Sequence, residues 1–217
     1  MLNTAANPIP DIILASKSPR RIRMLKEQQI DFMAVDSGVD ENTVSAACPE
    51  ALVQKLAEFK TETVSADYPD CWVIGADSVV VVDGLVLNKP NSREHARRML
   101  IQLSGRTHRV MTGFAVIRQT VGHRFADVVI SDVRFKKLGN EEIDWYTGLR
   151  EPYDKAGGYA IQGIGAFMVK RLNGSYTNVV GLPLAEVLDH LAACGALHRI
   201  KNRNHEPAAG GRAENES

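Results

Sequence analysis

The chain has 217 residues, of which 44% are hydrophobic and 24% are charged, so it is long enough to bury a core without disulfide support. Lysine plus arginine number 26 and aspartate plus glutamate also number 26, and the resulting net charge of zero argues against a protein that coats nucleic acid. The N-terminus is polar and no apolar run reaches about 20 residues, which predicts a cytoplasmic protein with no membrane span. Three sparse cysteines without a CxxC pair predict no disulfide framework and no structural zinc site.

Short apolar and β-branched runs predict strands, whereas apolar residues at helical spacing predict helices. The predicted strands cover residues 11–16, 72–82, 85–87, 110–117, 125–135 and 166–172. The predicted helices begin at Pro19, span residues 49–66, run from a cap at Asn91 and Ser92 to Gly105, and span 141–146 and 184–193. Because hairpins interrupt the alternation, we expect an α/β fold with a mixed, twisted sheet flanked by helices, between a disordered lead (1–10) and a disordered tail (201–217).

The segment between the first strand and the first helix is a candidate anion site. Its sequence, Ser16-Lys17-Ser18-Pro19-Arg20-Arg21, places hydroxyl and guanidinium groups beside a helix N-terminus, where free backbone N–H groups attract anions. The same residues also fit a surface helix that is capped by Ser18 and carries two solvated arginines, and the segment alone does not decide between the two.

The segment Gly75-Ala76-Asp77-Ser78 places a carboxylate directly after a buried apolar run, which is costly unless the group is paired, solvated or bound to metal. Asp77 could hold a divalent ion or activate water, although a turn aspartate bonded to nearby backbone is the alternative. Lys89, across the predicted hairpin, favours an anion site because its ammonium could meet a phosphate.

A glycine-rich stretch from Glu151 to Gly163 is the third candidate, since glycine lets the backbone approach a ligand closely. Gln162 offers a donor and an acceptor, which suits the edge of a nucleotide base, but a purely structural loop also fits. No GxxxxGK[ST], HExxH or GxSxG motif occurs, and the six histidines show no metal-ligand spacing.

Taken together, these segments resemble the Maf family of nucleotide pyrophosphatases, in the family's order and over roughly residues 11 to 195. Further segments that match are Leu14-Ala15, Asp40-Glu41, Leu56-Ala57 with Lys60, Leu103-Ser104-Gly105, His108-Arg109-Val110, Asn173-Gly174-Ser175-Tyr176 and Gly181-Leu182-Pro183. The resemblance implies one domain over residues 11–200, with two lobes around a cleft as in inosine triphosphatases, and often a homodimer.

The resemblance also implies hydrolysis of a nucleoside triphosphate between its α- and β-phosphates, which releases pyrophosphate. Asp77 matches the family's proton acceptor, and Glu41 together with Asp77 would hold a divalent cation, Mg²⁺ or Mn²⁺. The positions that match the family's phosphate-binding residues are Ser16, Arg20, Arg21, Lys60 and Lys89.

Subgroups of the family differ at the positions of Arg20, Ser78 and Gln162, and the pattern around Lys155 and Gln162 resembles the branch that acts on dTTP and UTP. Position 78 is usually threonine, so serine here keeps the hydroxyl and loses the methyl. The alternatives are modified nucleotides or 7-methyl-GTP as substrate, a nucleotide sensor without turnover, and a non-enzymatic inhibitor of septum formation.

Overall fold

The computed structural model describes residues 10–197, which form a seven-stranded mixed sheet flanked by helices. The strands are β1 Ile12–Ala15, β2 Met33–Val35, β3 Trp72–Val82, β4 Leu85–Leu87, β5 Thr107–Arg118, β6 His123–Phe135 and β7 Val169–Asn173. The helices are α1 Pro19–Glu27, α2 Pro49–Asp67, α3 Arg93–Leu103, α4 Asn140–Thr147, α5 Tyr176–Val180 and α6 Leu184–Ala193. The predicted fold class is confirmed, whereas the expected lead and tail lie outside the described residues, apart from Pro10.

Three local predictions differ from the structure. The strand expected from residue 166 begins at Val169, because Gly163–Met168 forms a 3₁₀ helix. The prediction missed β2 and α5, which have 3 and 5 residues and are too short to show a period. Ser18 occupies the N-cap of α1 but its hydroxyl caps nothing; instead the Ser18 amide donates to Ser16 Oγ at 3.2 Å.

The long strand β3 has an interrupted edge, and this interruption creates the opening for a site. On one side β3 pairs with β5 continuously from Val73 to Val81. On the other side it pairs in parallel with β1 through residues 72–74 and antiparallel with β4 through residues 80–82. Residues 75–79 therefore border a gap between β1 and β4, at the carboxyl end of β1, where ligands of open α/β sheets bind.

Two separate hydrophobic clusters lie on either side of this gap, as the two-lobed expectation requires. The first cluster joins β1, α1 and α6 to the start of β3 through residues such as Leu14, Leu25 and Leu191. The second joins the end of β3 to α3, α4 and β6 through residues such as Leu100 and Tyr146.

None of the helices within residues 10–197 combines the length and apolarity needed to cross a membrane.

Helix α2 packs unusually close to the sheet because glycines face it. A Cβ on Gly75 would lie 2.2 Å from Thr61 Oγ1, and one on Gly113 would lie 2.3 Å from the Val53 carbonyl oxygen. The close approach brings Lys60, on the inner face of α2, beside Asp77 in the middle of β3. Glycine at these two strand positions therefore determines the depth of the site.

Replacing Gly113 with alanine tests this packing. We expect Gly113→Ala to lower the free energy of unfolding by about 1–3 kcal/mol, because the backbone of α2 must move away from the new methyl group. Urea unfolding measures the change. In the control Gly139→Ala, the new Cβ would meet only Glu142 Oε2 at 3.8 Å, so a loss below about 1 kcal/mol is expected there. Equal losses in the two variants would contradict the close-packing explanation.

Candidate active site

A cleft of about 880 Å³ opens at the gap in the β3 edge, a size typical of small-molecule sites. Every site residue predicted from the sequence lines it: Ser16, Arg20, Arg21, Glu41, Lys60, Asp77, Ser78, Lys89 and Gln162. The charged lining consists of six basic residues (Lys17, Arg20, Arg21, Lys60, Lys89, Lys155) and four acidic residues (Asp36, Glu41, Asp77, Asp154). The cleft thus has a net charge of two positive units, which attracts polyanions.

Strand alternation directs Asp77 and Ser78 to opposite faces of the sheet, so the cleft wraps around the exposed edge of β3. Asp77 faces α2 on the same side as Gly75, while Ser78 faces the side that carries α1 and α5. Ser16, directly after β1, reaches the same level because β1 and β3 run in parallel register. The first turn of α1 follows, and its free N–H groups add anion-binding capacity.

Lys60 lies between two carboxylates. Its Nζ donates to Asp77 Oδ1 and to Glu41 Oε1, each at 2.6 Å, while Lys60 and Asp77 are only 7% and 8% exposed. A buried charge is tolerated when it is paired and hydrogen-bonded, so these two residues depend on each other. Within the described residues only Lys60 hydrogen-bonds Asp77, which leaves Oδ2 of Asp77 available to water in the cleft.

The pKa of Glu41 reflects opposing effects. Partial burial acts to raise the pKa, but the hydrogen bond and charge of Lys60, with the charges of Lys89 and Arg21, outweigh it and lower the pKa below its ordinary value. Glu41 is therefore ionised at neutral pH, although it lies at the edge of the protein interior.

Arg21 is held by neutral groups rather than by a carboxylate. Its Nε donates to the Gly181 carbonyl at 2.6 Å and its Nη2 donates to Ser78 Oγ at 3.2 Å. Ser78 is in turn 2.8 Å from Thr112 Oγ1, which donates to the Asn178 carbonyl. Burial lowers the pKa of Arg21 and Asp77 opposes this, and since the guanidinium remains charged, a fixed positive charge faces the cleft.

The remaining cations differ in how firmly they are paired. Arg20 donates to Asp154 Oδ2 at 3.0 Å, and Asp154 also accepts from Lys155. The carboxylate that these two cations share is exposed, which weakens both ion pairs. Lys89 is exposed, and no carboxylate in the described part of the chain lies within ion-pair distance of it. Arg20 and Lys89 can thus turn toward a ligand at low cost.

The loop that carries Gln162 is anchored by Glu151. The Glu151 carboxylate accepts from Tyr146 Oη at 2.8 Å and from the amides of Ile164 and Gly165 at 3.1 and 2.7 Å. Gln162 immediately precedes this anchored turn, and its side-chain amide makes no hydrogen bond to other residues of the described chain. A fixed backbone with a free side-chain amide is suited to reading the polar edge of a ligand.

The carboxylates of Glu41 and Asp77 suit a hard divalent cation such as Mg²⁺ or Mn²⁺, which prefers carboxylate oxygen. Lys60 neutralises one of their two negative charges and occupies one oxygen of each. The other two oxygens, Oε2 of Glu41 and Oδ2 of Asp77, make no hydrogen bond to the described residues. The residues present therefore fit the cation that the sequence led us to expect.

A sequence model described as Maf-like protein matches residues 11–194. The chain belongs to the Maf family. A dTTP/UTP pyrophosphatase of Syntrophus aciditrophicus is 48% identical over 86% of this chain and 91% of its own, and one of Geotalea uraniireducens is 46% identical over 86% and 96%. A dTTP/UTP pyrophosphatase of Clostridioides difficile is 42% identical over 83% of this chain and 93% of its own. Among solved structures, a HAM1 protein of Coxiella burnetii aligns over 86% of this chain and 98% of its own, with a TM-score of 0.48 and 11% identity.

Sequence reasoning missed the groups that hold the site of this Maf chain in shape. Thr112 and the Gly181 carbonyl fix Ser78 and Arg21, but a lone threonine and a backbone carbonyl have no recognisable pattern. Asp154 and Lys155 fall inside the glycine-rich stretch that the sequence did single out, so charge in that stretch was the available signal.

The variant Lys60→Met tests the buried ion pair. We expect it to lower the free energy of unfolding at pH 7 by about 3–5 kcal/mol, because Asp77 loses its partner. Because the pKa of Glu41 is lower in the folded protein, ionised Glu41 stabilises the fold at pH values above the ordinary pKa of glutamate. This contribution is lost as the pH falls through the lowered pKa. The difference between wild type and variant should therefore narrow in acid.

Chemical denaturation at several pH values measures this difference. The control is Lys55→Met, which makes the same change at an exposed position of α2 and should alter stability by less than about 0.5 kcal/mol. A loss that is independent of pH, or equal in both variants, would count against the pairing.

Proposed function

We propose that this chain is a nucleoside triphosphate pyrophosphatase that acts on dTTP and UTP and yields the monophosphate and pyrophosphate. The observation that carries the proposal is Asp77, buried and held by Lys60 in a cleft of net positive charge. Relatives named dTTP/UTP pyrophosphatase, at 42–48% identity over most of both chains, support the same reaction.

In this mechanism Asp77 acts as the general base. Its carboxylate accepts a proton from a water molecule, the water oxygen bonds to the α-phosphorus, and the bond from the α-phosphorus to the α–β bridging oxygen breaks. Pyrophosphate leaves with the bonding electron pair. The hydrogen bond from Lys60 to Oδ1 fixes the orientation of the carboxylate.

The phosphates, with about four negative charges, are bound by hydroxyl, guanidinium and ammonium groups, since phosphoryl transfer depends mostly on positioning and charge stabilisation. Ser16, the first turn of α1 and Arg21 hold the chain of phosphates. Arg20 and Lys89 stabilise the charge that grows on the leaving pyrophosphate. Lys60 contributes charge nearby while it stays bonded to Asp77.

Glu41 and Asp77 would hold a divalent cation, which when bound neutralises phosphate charge and lowers the pKa of water. Gln162 reads the base, and Ser78, bonded to Arg21 and Thr112, affects substrate choice through the position of Arg21. As parts of the same proposal, the enzyme works in the cytoplasm, as a homodimer, on the nucleotide pool. The names of the relatives support a pyrimidine base, whereas 7-methyl-GTP and modified nucleotides are the competing substrates.

A nucleotide panel with product analysis tests the reaction. We expect dTTP and UTP to release pyrophosphate as first product with Mg²⁺ or Mn²⁺, and Asp77→Asn to reduce kcat by about 100- to 10,000-fold, because the amide cannot accept the proton. Nucleotide binding by calorimetry should persist in the variant. The control Asp127→Asn changes an exposed aspartate of β6 and should leave turnover unaltered.

Orthophosphate as first product would refute cleavage between the α- and β-phosphates. Binding without turnover in the wild type would identify a sensor instead. Preference for 7-methyl-GTP would retain the chemistry and overturn the assignment of the base.

The metal assignment is tested by Glu41→Gln. We expect the Mg²⁺ concentration for half-maximal activity to rise by about tenfold or more, because one of two carboxylate ligands is neutralised, while kcat at saturating Mg²⁺ falls less. Glu27→Gln, at an exposed position of α1, provides the matched control. An unchanged metal requirement in Glu41→Gln would remove Glu41 from the cation site.

A further inference from the structure

Three side chains converge at the far end of the sheet from the cleft. His123 begins β6, and His190 and Cys194 lie at the carboxyl end of α6. The two Nε2 atoms are 2.9 Å apart, and Cys194 Sγ lies 3.7 Å from His123 Nε2 and 3.6 Å from His190 Nε2. Three metal-ligating atoms from two elements, 67 residues apart in the chain, therefore point at one position.

The spacing of these atoms is that of a tetrahedral zinc site. With zinc–nitrogen bonds of about 2.05 Å and a zinc–sulfur bond of about 2.3 Å, tetrahedral ligands lie about 3.6 Å apart for nitrogen and sulfur and about 3.3 Å apart for two nitrogens. Both observed nitrogen–sulfur distances match. The nitrogens need to separate by about 0.4 Å, which a small rotation of one of the two partly buried imidazoles supplies.

Aromatic rings pack against both imidazoles. His190 stacks on Phe125 with ring centroids 3.8 Å apart, and His123 meets the edge of Trp72 at 5.1 Å. Cys194 is a free thiol and half-buried.

This cluster is separate from the candidate active site. Along β6, His123 is six residues from Val129, which pairs with Thr112 next to Ser78. Six residues of strand correspond to roughly 20 Å. The ligands also differ in kind, because two imidazoles and a thiolate select a borderline-soft ion rather than Mg²⁺.

We propose that His123, His190 and Cys194 bind Zn²⁺, with water as the fourth ligand, and that the ion fastens the end of α6 to the β5–β6 hairpin. Binding requires loss of the thiol proton to solvent and involves no redox change. The absence of a CxxC motif argued against structural zinc, but the fold assembles the ligands from distant positions. The site would be independent of nucleotide hydrolysis.

Cobalt substitution of the metal-stripped full chain tests the ligand set. We expect Co²⁺ to give a thiolate-to-metal charge-transfer band that Zn²⁺ abolishes at one equivalent. Cys194→Ser should remove the band and weaken Zn²⁺ binding by about 100-fold or more, since a thiolate ligand is lost. The control Cys48→Ser changes an exposed cysteine and should leave both unchanged. Carboxylates of the cleft cannot produce this band, so Co²⁺ bound there is distinguished.

Thiol alkylation of the wild type gives a second test that needs no variant. Zn²⁺ should slow alkylation of Cys194 by at least about tenfold, as thiolate–metal bonding blocks the nucleophile, and leave Cys48 unaffected. Hydrogen exchange of residues 184–193 should slow on Zn²⁺ binding. Equal alkylation of Cys194 with and without Zn²⁺, or no charge-transfer band with Co²⁺, would overturn the proposal and identify a hydrogen-bonded histidine pair instead.

Discussion

The arrangement of the cleft depends on one buried ammonium group. Lys60 donates to both Glu41 and Asp77 at 2.6 Å, and without it the buried carboxylate of Asp77 would have no partner and would lie near that of Glu41. The bonds from Lys60 to the two carboxylates also link three parts of the chain: helix α2, the middle of β3 and the 3₁₀ turn at Glu41–Thr43. This interaction gives the carboxylate of Asp77 a fixed orientation.

The backbone prepares the place for that interaction before any side chain acts. Since β1 ends where β3 continues and β4 pairs only from residue 80, the edge of β3 is free at the level of Asp77 and Ser78. Gly75 and Gly113 let α2 come close enough for Lys60 to reach Asp77. The interrupted edge gives access to both faces of the strand, so Asp77 and Ser78 reach the cleft from opposite sides of the sheet.

The sequence allowed prediction of most long elements and of the residues that line the cleft. Long apolar runs such as β3 and the spaced apolar positions of α2 carry their own periodicity, and the order of short polar segments identified the family. It could not yield β2 or α5, which are too short for a period, nor the hold of Gly181 on Arg21, which is a backbone contact. The proposed zinc ligands could not be predicted for a related reason: only the packing of α6 near the start of β6 brings His123 close to Cys194.

The pairing of charges in the cleft bears on how a triphosphate can be bound. Asp36, Asp154, Glu41 and Asp77 each already pair with a lysine or arginine, so a phosphate that recruits those cations must displace a carboxylate. Arg21 is held by the Gly181 carbonyl and by the hydroxyls of Ser78 and Ser16, and Lys89 faces no carboxylate among the described residues at ion-pair distance. These two cations therefore offer uncompensated charge, whereas Lys60 is already committed to Asp77. The basic residues of the cleft thus divide into two that carry charge without a carboxylate partner and one that is bonded to Asp77, a division that residue type alone does not reveal.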